Sequence, residues 1–117
     1  MNSIEEYVNQ FDGIKKEWIQ EFTDYMKEKH PDIEGVIWFR MPAYKIDTAY
    51  IAFSVTKDYF AFHTNDPACF FMCKDALDKA AFGKRSVKIK YTDDGAKVVL
   101  YNIIEFFAYS HHANKNS

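Results

Sequence analysis

Four carboxylates carry the sharpest chemical pattern in this chain. Glu17, Glu21, Asp24 and Glu28 are separated by four, three and four residues, a spacing that stacks all four side chains along one stripe of a helix. At about 100° per residue the stripe is centred about 90° from the apolar positions Trp18, Phe22 and Tyr25, so it is expected in solvent. Stacked carboxylates repel one another, and a hard cation relieves that repulsion. Oxygen ligands of this kind suit Fe²⁺, Fe³⁺, Mn²⁺ or Ca²⁺ and suit soft metals poorly. An open, flexible site would hold iron weakly, as a carrier that must release its metal requires. The same spacing also describes the solvated flank of an ordinary amphipathic helix, which is the commoner meaning of such a run.

A second candidate site groups Arg40, Met41, Pro42 and Tyr44 with His63. Proline cannot donate to a sheet ladder, so Met41-Pro42 is expected to interrupt a strand and leave backbone groups open beside it. Arg40 there could take a carboxylate or phosphate bidentately, with Tyr50, His63 and Lys88 as further wall residues. The plainer alternative is a proline that blunts an edge strand beside a solvated arginine. Cys69 and Cys73, with His63, could offer soft ligands. An isolated C-x-x-x-C is a poor zinc signature, however, and buried free cysteine is ordinary core material. His111-His112 falls in a tail and is set aside. Lys84, Arg85, Lys88 and Lys90 are too few cations for strong phosphate binding. The sequence contains no G-x-S-x-G, P-loop, H-E-x-x-H or G-x-G-x-x-G, so no strong enzyme candidate emerges.

These residues must be positioned by one domain. The 117 residues include 48% apolar and 18% aromatic side chains, with Phe 11, Tyr 8 and Trp 2. That is enough bulk for a core without disulfides and excludes a disordered chain. The expected domain spans 1–110, with 111–117 as a flexible tail. A net charge of −2 is the wrong sign for a dedicated nucleic-acid binder. The charge is polarised. Residues 1–34 hold nine acids against four lysines, whereas 35–117 hold eight acids against eleven bases. No signal segment and no apolar run near the ~20 residues of a membrane span is present. With two cysteines four apart on one expected helix, a reduced, cytoplasmic chain is the expectation.

The pattern predicts helices over about Ile4–Phe11, with Ser3 and Glu6 at capping-box spacing, and over Ile14 to about Lys29, closed by Pro31. Strands are expected over Gly35–Arg40, Ala43–Ile46, Tyr50–Val55, Tyr59–Thr64 and Ser86–Tyr91. Asn65 or Asp66, with Pro67 at the first helical position, opens a helix to about Ala80 or Ala81; Asp93 or Asp94 opens another through about Tyr109. The order α-α-β-β-β-β-α-β-α implies an α+β fold, a single antiparallel sheet of about five strands covered by helices.

Tyr7-Val8 with Phe11, the long amphipathic helix, Pro31 before Trp38-Phe-Arg-Met-Pro-Ala-Tyr44, Tyr50-Ile-Ala-Phe53, Phe60-Ala-Phe62 and Gly83-Lys-Arg-Ser86 together resemble the YdhG-like family of small bacterial proteins. The resemblance covers about residues 4–108. It implies a small soluble protein, and some members are described as frataxin-like iron chaperones that feed iron to iron–sulfur or haem assembly. The chain departs from the family at His63, where a tyrosine is common, and at Tyr91-Thr-Asp-Asp-Gly-Ala, where a Pro-rich stretch usually precedes the last helix.

Three functional expectations follow. One is a non-enzymatic iron chaperone using Glu17, Glu21, Asp24 and Glu28, with weakly bound iron and an iron–sulfur or haem assembly protein as partner. Another is a small-ligand or sensor domain with a pocket at the Met41-Pro42 break. The last is a dimerisation module, since aromatic residues are common at interfaces. The chain would be a monomer or homodimer without nucleic-acid or membrane partners.

Overall fold

The computed structural model describes residues 3–116. Ser3 starts the first helix, α1 (Ile4–Asn9): its hydroxyl accepts the Glu6 backbone N–H at 3.1 Å and donates to the Glu6 carboxylate at 3.2 Å. One otherwise unsatisfied donor of the first turn is thereby paired. Gly13, at φ +62°, takes a left-handed conformation open to glycine and begins α2 (Gly13–Lys29). That helix ends as Pro31 dictates, with His30 as its C-cap.

The strands β1 (Gly35–Trp38), β2 (Met41–Ile46), β3 (Ala49–Val55), β4 (Tyr59–Thr64), β5 (Ala81–Phe82) and β6 (Ser86–Lys90) form one antiparallel sheet in the order β1-β2-β3-β4-β6-β5. Two further helices, α3 (Pro67–Ala76) and α4 (Ala96–Asn116), complete an α+β fold. The sheet has six strands rather than the expected five. The helix expected to reach Ala80 stops at Ala76, and Ala81-Phe82 then pairs with Val87 and Lys88 as a short edge strand.

The expected strand break also moves. The chain turns at Phe39-Arg40, not at Met41-Pro42, and both turn residues have positive φ (51° and 63°), the backbone of a two-residue primed hairpin. Trp38 and Met41 close that hairpin, so the next pair, Ile37 and Pro42, is a non-hydrogen-bonded one and the proline nitrogen points toward β3. Pairing with β3 begins only at Ala43, so the missing N–H interrupts no bond and Pro42 sits inside β2. Finally, α4 runs past the expected end at Tyr109 to Asn116, taking in His111. The side chains of the remaining expected tail, 112–117, lie outside the described residues.

Alternation along the strands separates two faces. Tyr44, Phe53, Phe60, Phe62, Val87 and Ile89 point toward the helices and are buried. There the Trp18 and Phe22 rings of α2 lie 5.4 and 4.6 Å from Phe60, and Leu100 and Phe107 of α4 are fully buried in the same core. The opposite face carries Trp38, Met41, Lys45, Tyr50, Tyr59 and His63, together with Lys88 and Lys90. Its central positions Ala43, Ala52 and Ala61 are small and lie flush beneath those larger neighbours.

Candidate functional site

A cleft of about 580 Å³ opens where α1 and α2 meet the β1–β2 edge of the sheet. Gly35 is what allows those elements to converge. A Cβ placed there would lie 2.6 Å from Ile4 Cδ1 and 2.7 Å from Tyr44 Cε1, closer than side-chain atoms approach. The cleft floor is apolar, built from buried Val8, Met26 and Ile33, while its rim carries the carboxylates of Glu5, Asp24 and Glu34 and the ammonium of Lys27.

Tyr44 forms part of the wall and is only 4% exposed. Other buried hydroxyls in this region are satisfied. Tyr7 accepts the Val55 N–H at 3.3 Å, and Thr23 donates to the Ile19 carbonyl at 2.9 Å. The Tyr44 hydroxyl has no hydrogen-bond partner among the described residues. Burial, and then the nearby Asp24 carboxylate, push its pKa well above the usual phenol value, so the group stays protonated and able to donate. Asp24 itself accepts a hydrogen bond from Gln20 Nε2 at 2.9 Å.

The acidic stripe of α2 is exposed as expected, but its members serve different neighbours. Glu21 is paired with Lys97 of α4 at 3.1 Å, and Lys97 also meets Asp94 at 2.9 Å. Asp24 turns to the cleft. Among the described residues no group of three or more His, Cys, Asp or Glu side chains is placed to hold a metal ion.

The Arg40, Met41, Pro42, Tyr44 and His63 set is divided rather than assembled. Arg40 borders a separate hollow of about 380 Å³ with Tyr7, Phe11 and Ile37. Tyr44 and Pro42 face the helices, while Met41 and His63 occupy the other side of the sheet. There His63 Nε2 lies 2.9 Å from Ser54 Oγ, and burial holds its pKa below the usual imidazole value. A one-residue step along a strand changes face, which is why residues close in sequence around Met41 do not share a pocket.

Cys69 and Cys73 are free thiols fully buried in the core. Burial pushes the Cys73 pKa up to about 12 and raises that of Cys69 further, with Asp66 adding to the effect there. Neither is therefore a thiolate at neutral pH.

Sequence reasoning missed two polar links between distant elements. Glu105 of α4 accepts the Tyr25 hydroxyl and lies 2.7 Å from His30 Nε2, tying α4 to the end of α2. Asp66 caps α3 by accepting the Ala68 N–H at 2.9 Å and lies 2.7 Å from His111 Nε2 of α4. The cap was legible in the Asp66-Pro67 pair. The other partners, 45 to 80 residues away, leave no local signal.

Comparison with family models and with curated proteins returns no match. Among solved structures, the chain is similar to the crystal structure of a DUF1801-family protein, YdhG of Bacillus subtilis, with a TM-score of 0.74 and 20% sequence identity over 88% of this chain and 86% of that one. At that identity the likeness is one of fold, and it agrees with the YdhG-like resemblance carried by the sequence: an α+β chain built on a single open antiparallel sheet.

Proposed function

We propose that this chain is a small-molecule-binding domain without catalytic chemistry of its own, its ligand lodging in the cleft between α1, α2 and the β1–β2 edge. The observation that carries this reading is the Tyr44 hydroxyl, buried, unpartnered among the described residues and set in the cleft wall. The hydroxyl makes no hydrogen bond to a described residue, so it is available to pair with what enters the cleft, a bond worth about 0.5–1.5 kcal/mol net. The volume of about 580 Å³ lies within the range of small-molecule sites, and an apolar floor with a few converging polar groups is their usual construction. For the iron-carrying reading, no group of three or more His, Cys, Asp or Glu side chains among the described residues is close enough together to hold a metal ion.

The reading is tested by titrating isotope-labelled protein with a charge-diverse fragment library and mapping the shifted amide resonances. Saturable shifts at Val8, Met26, Ile33 and Tyr44 are expected. Shifts confined to other regions, or none at all, would overturn it.

A further inference from the structure

We propose that the cleft ligand is an organic cation: a primary amine, or a comparable N–H-bearing cation, attached to an apolar body. This rests on the cleft being a binding site and goes on to name what binds. Three carboxylates from three different segments, Glu5 of α1, Asp24 of α2 and Glu34 just before β1, stand around the opening. Against them are two basic residues, Lys27 and His30, and the His30 ring is already engaged 2.7 Å from Glu105. The field at the mouth therefore attracts positive charge and repels anions.

Inside, the donor and acceptor pattern points the same way. Asp24 is an acceptor with lone pairs beyond the one bonded to Gln20, and the Tyr44 oxygen can accept as well as donate. An ammonium placed between them donates to both, and charge-assisted hydrogen bonds of this kind are the stronger ones. The floor of Val8, Met26 and Ile33 gives a bare ion nothing in return for its lost water, but it accepts a hydrocarbon chain. A charged head on an apolar tail matches both halves of the site.

Three probes of equal chain length and different head group separate the possibilities: octylamine, octanol and octanoate, each titrated into labelled protein and followed at Val8, Met26, Ile33 and Tyr44. Octylamine is expected to bind about tenfold or more tighter than octanol, with octanoate weakest. Asp24→Asn, at an exposed position where folding is not at risk, is expected to lower octylamine affinity about tenfold and leave octanol unchanged. Glu34→Gln should act in the same direction with a smaller effect. If octanol or octanoate occupies the cleft as tightly as octylamine, or Asp24→Asn leaves octylamine untouched, the cation assignment falls while the binding site stands. If none of the three moves those resonances, both fall.

Discussion

Gly35 and Tyr44 face each other across the β1–β2 pair, and the tyrosine ring occupies the space a side chain on residue 35 would need. The hole in one residue is filled by the ring of the other, and the cleft wall is the result. Gly35→Ala is expected to displace Tyr44 or Ile4, to destabilise the fold by about 1–3 kcal/mol as overpacking does, and to weaken binding in the cleft. Urea denaturation alongside a ligand titration checks both effects. A variant as stable as the parent would show that the Tyr44 and Ile4 side chains have room to yield.

Removing the Tyr44 hydroxyl while keeping its ring separates stability from binding. Tyr44→Phe deletes a group with no hydrogen-bond partner among the described residues, so stability without ligand is expected to stay within about 1 kcal/mol of the parent's. The same change should weaken binding of an amine probe. A larger drop in the urea midpoint would reveal a partner for the hydroxyl.

Phe39 and Arg40 hold a left-handed turn without glycine or asparagine, a conformation that strains ordinary side chains by about 1–2 kcal/mol each. Arg40→Gly is expected to stabilise the hairpin by about 1 kcal/mol, and its chemical denaturation curve should shift to higher urea. If the curve shifts downward, the Arg40 side chain contributes more in its hollow than the turn costs.

His63 sets a pH dependence. Its pKa is held below the ordinary 6.5 by burial, so the unfolded chain binds a proton more readily than the folded one. The stability this contributes is complete above pH 6.5 and is lost as pH falls through the lower folded value. Thermal melting temperatures of His63→Gln should therefore decline less than those of the parent between about pH 6.5 and pH 5. Parallel declines would overturn the assignment to His63, because the carboxylates Asp66 and Glu105, held below their ordinary 3.8 and 4.5, lose their contribution only at lower pH. Burial disfavours ionisation of both, but the hydrogen bonds each accepts outweigh it and hold its pKa below the usual value.

Much of the fold was legible because local rules carried it. Ser3 and Asp66 cap where their types demand, Pro31 ends α2, and Phe60 and Phe62 alternate inward from β4. The failures share a physical cause. Phe39-Arg40 turns without turn residues, because the Trp38–Met41 pairing and the strands beyond it impose the conformation. Ala81-Phe82 is a strand only because β6 lies beside it. The site was half visible. Tyr44 and Asp24 were both singled out by type and spacing, yet for different sites, and only the packing of α1 and α2 over β2 brings them to one cleft. Glu5, Glu34 and Gly35 carried no signal, since a surface acid and a strand glycine look ordinary until the chain folds around them.

The borders of the sheet carry a last consequence. One ends in a strand of four residues and the other in a strand of two. An unfolded neighbour looking for a template finds too few free backbone groups on either margin to zip against. The brevity of Ala81-Phe82, which hid it from periodicity, thus also leaves that margin little ladder on which a fibre could extend.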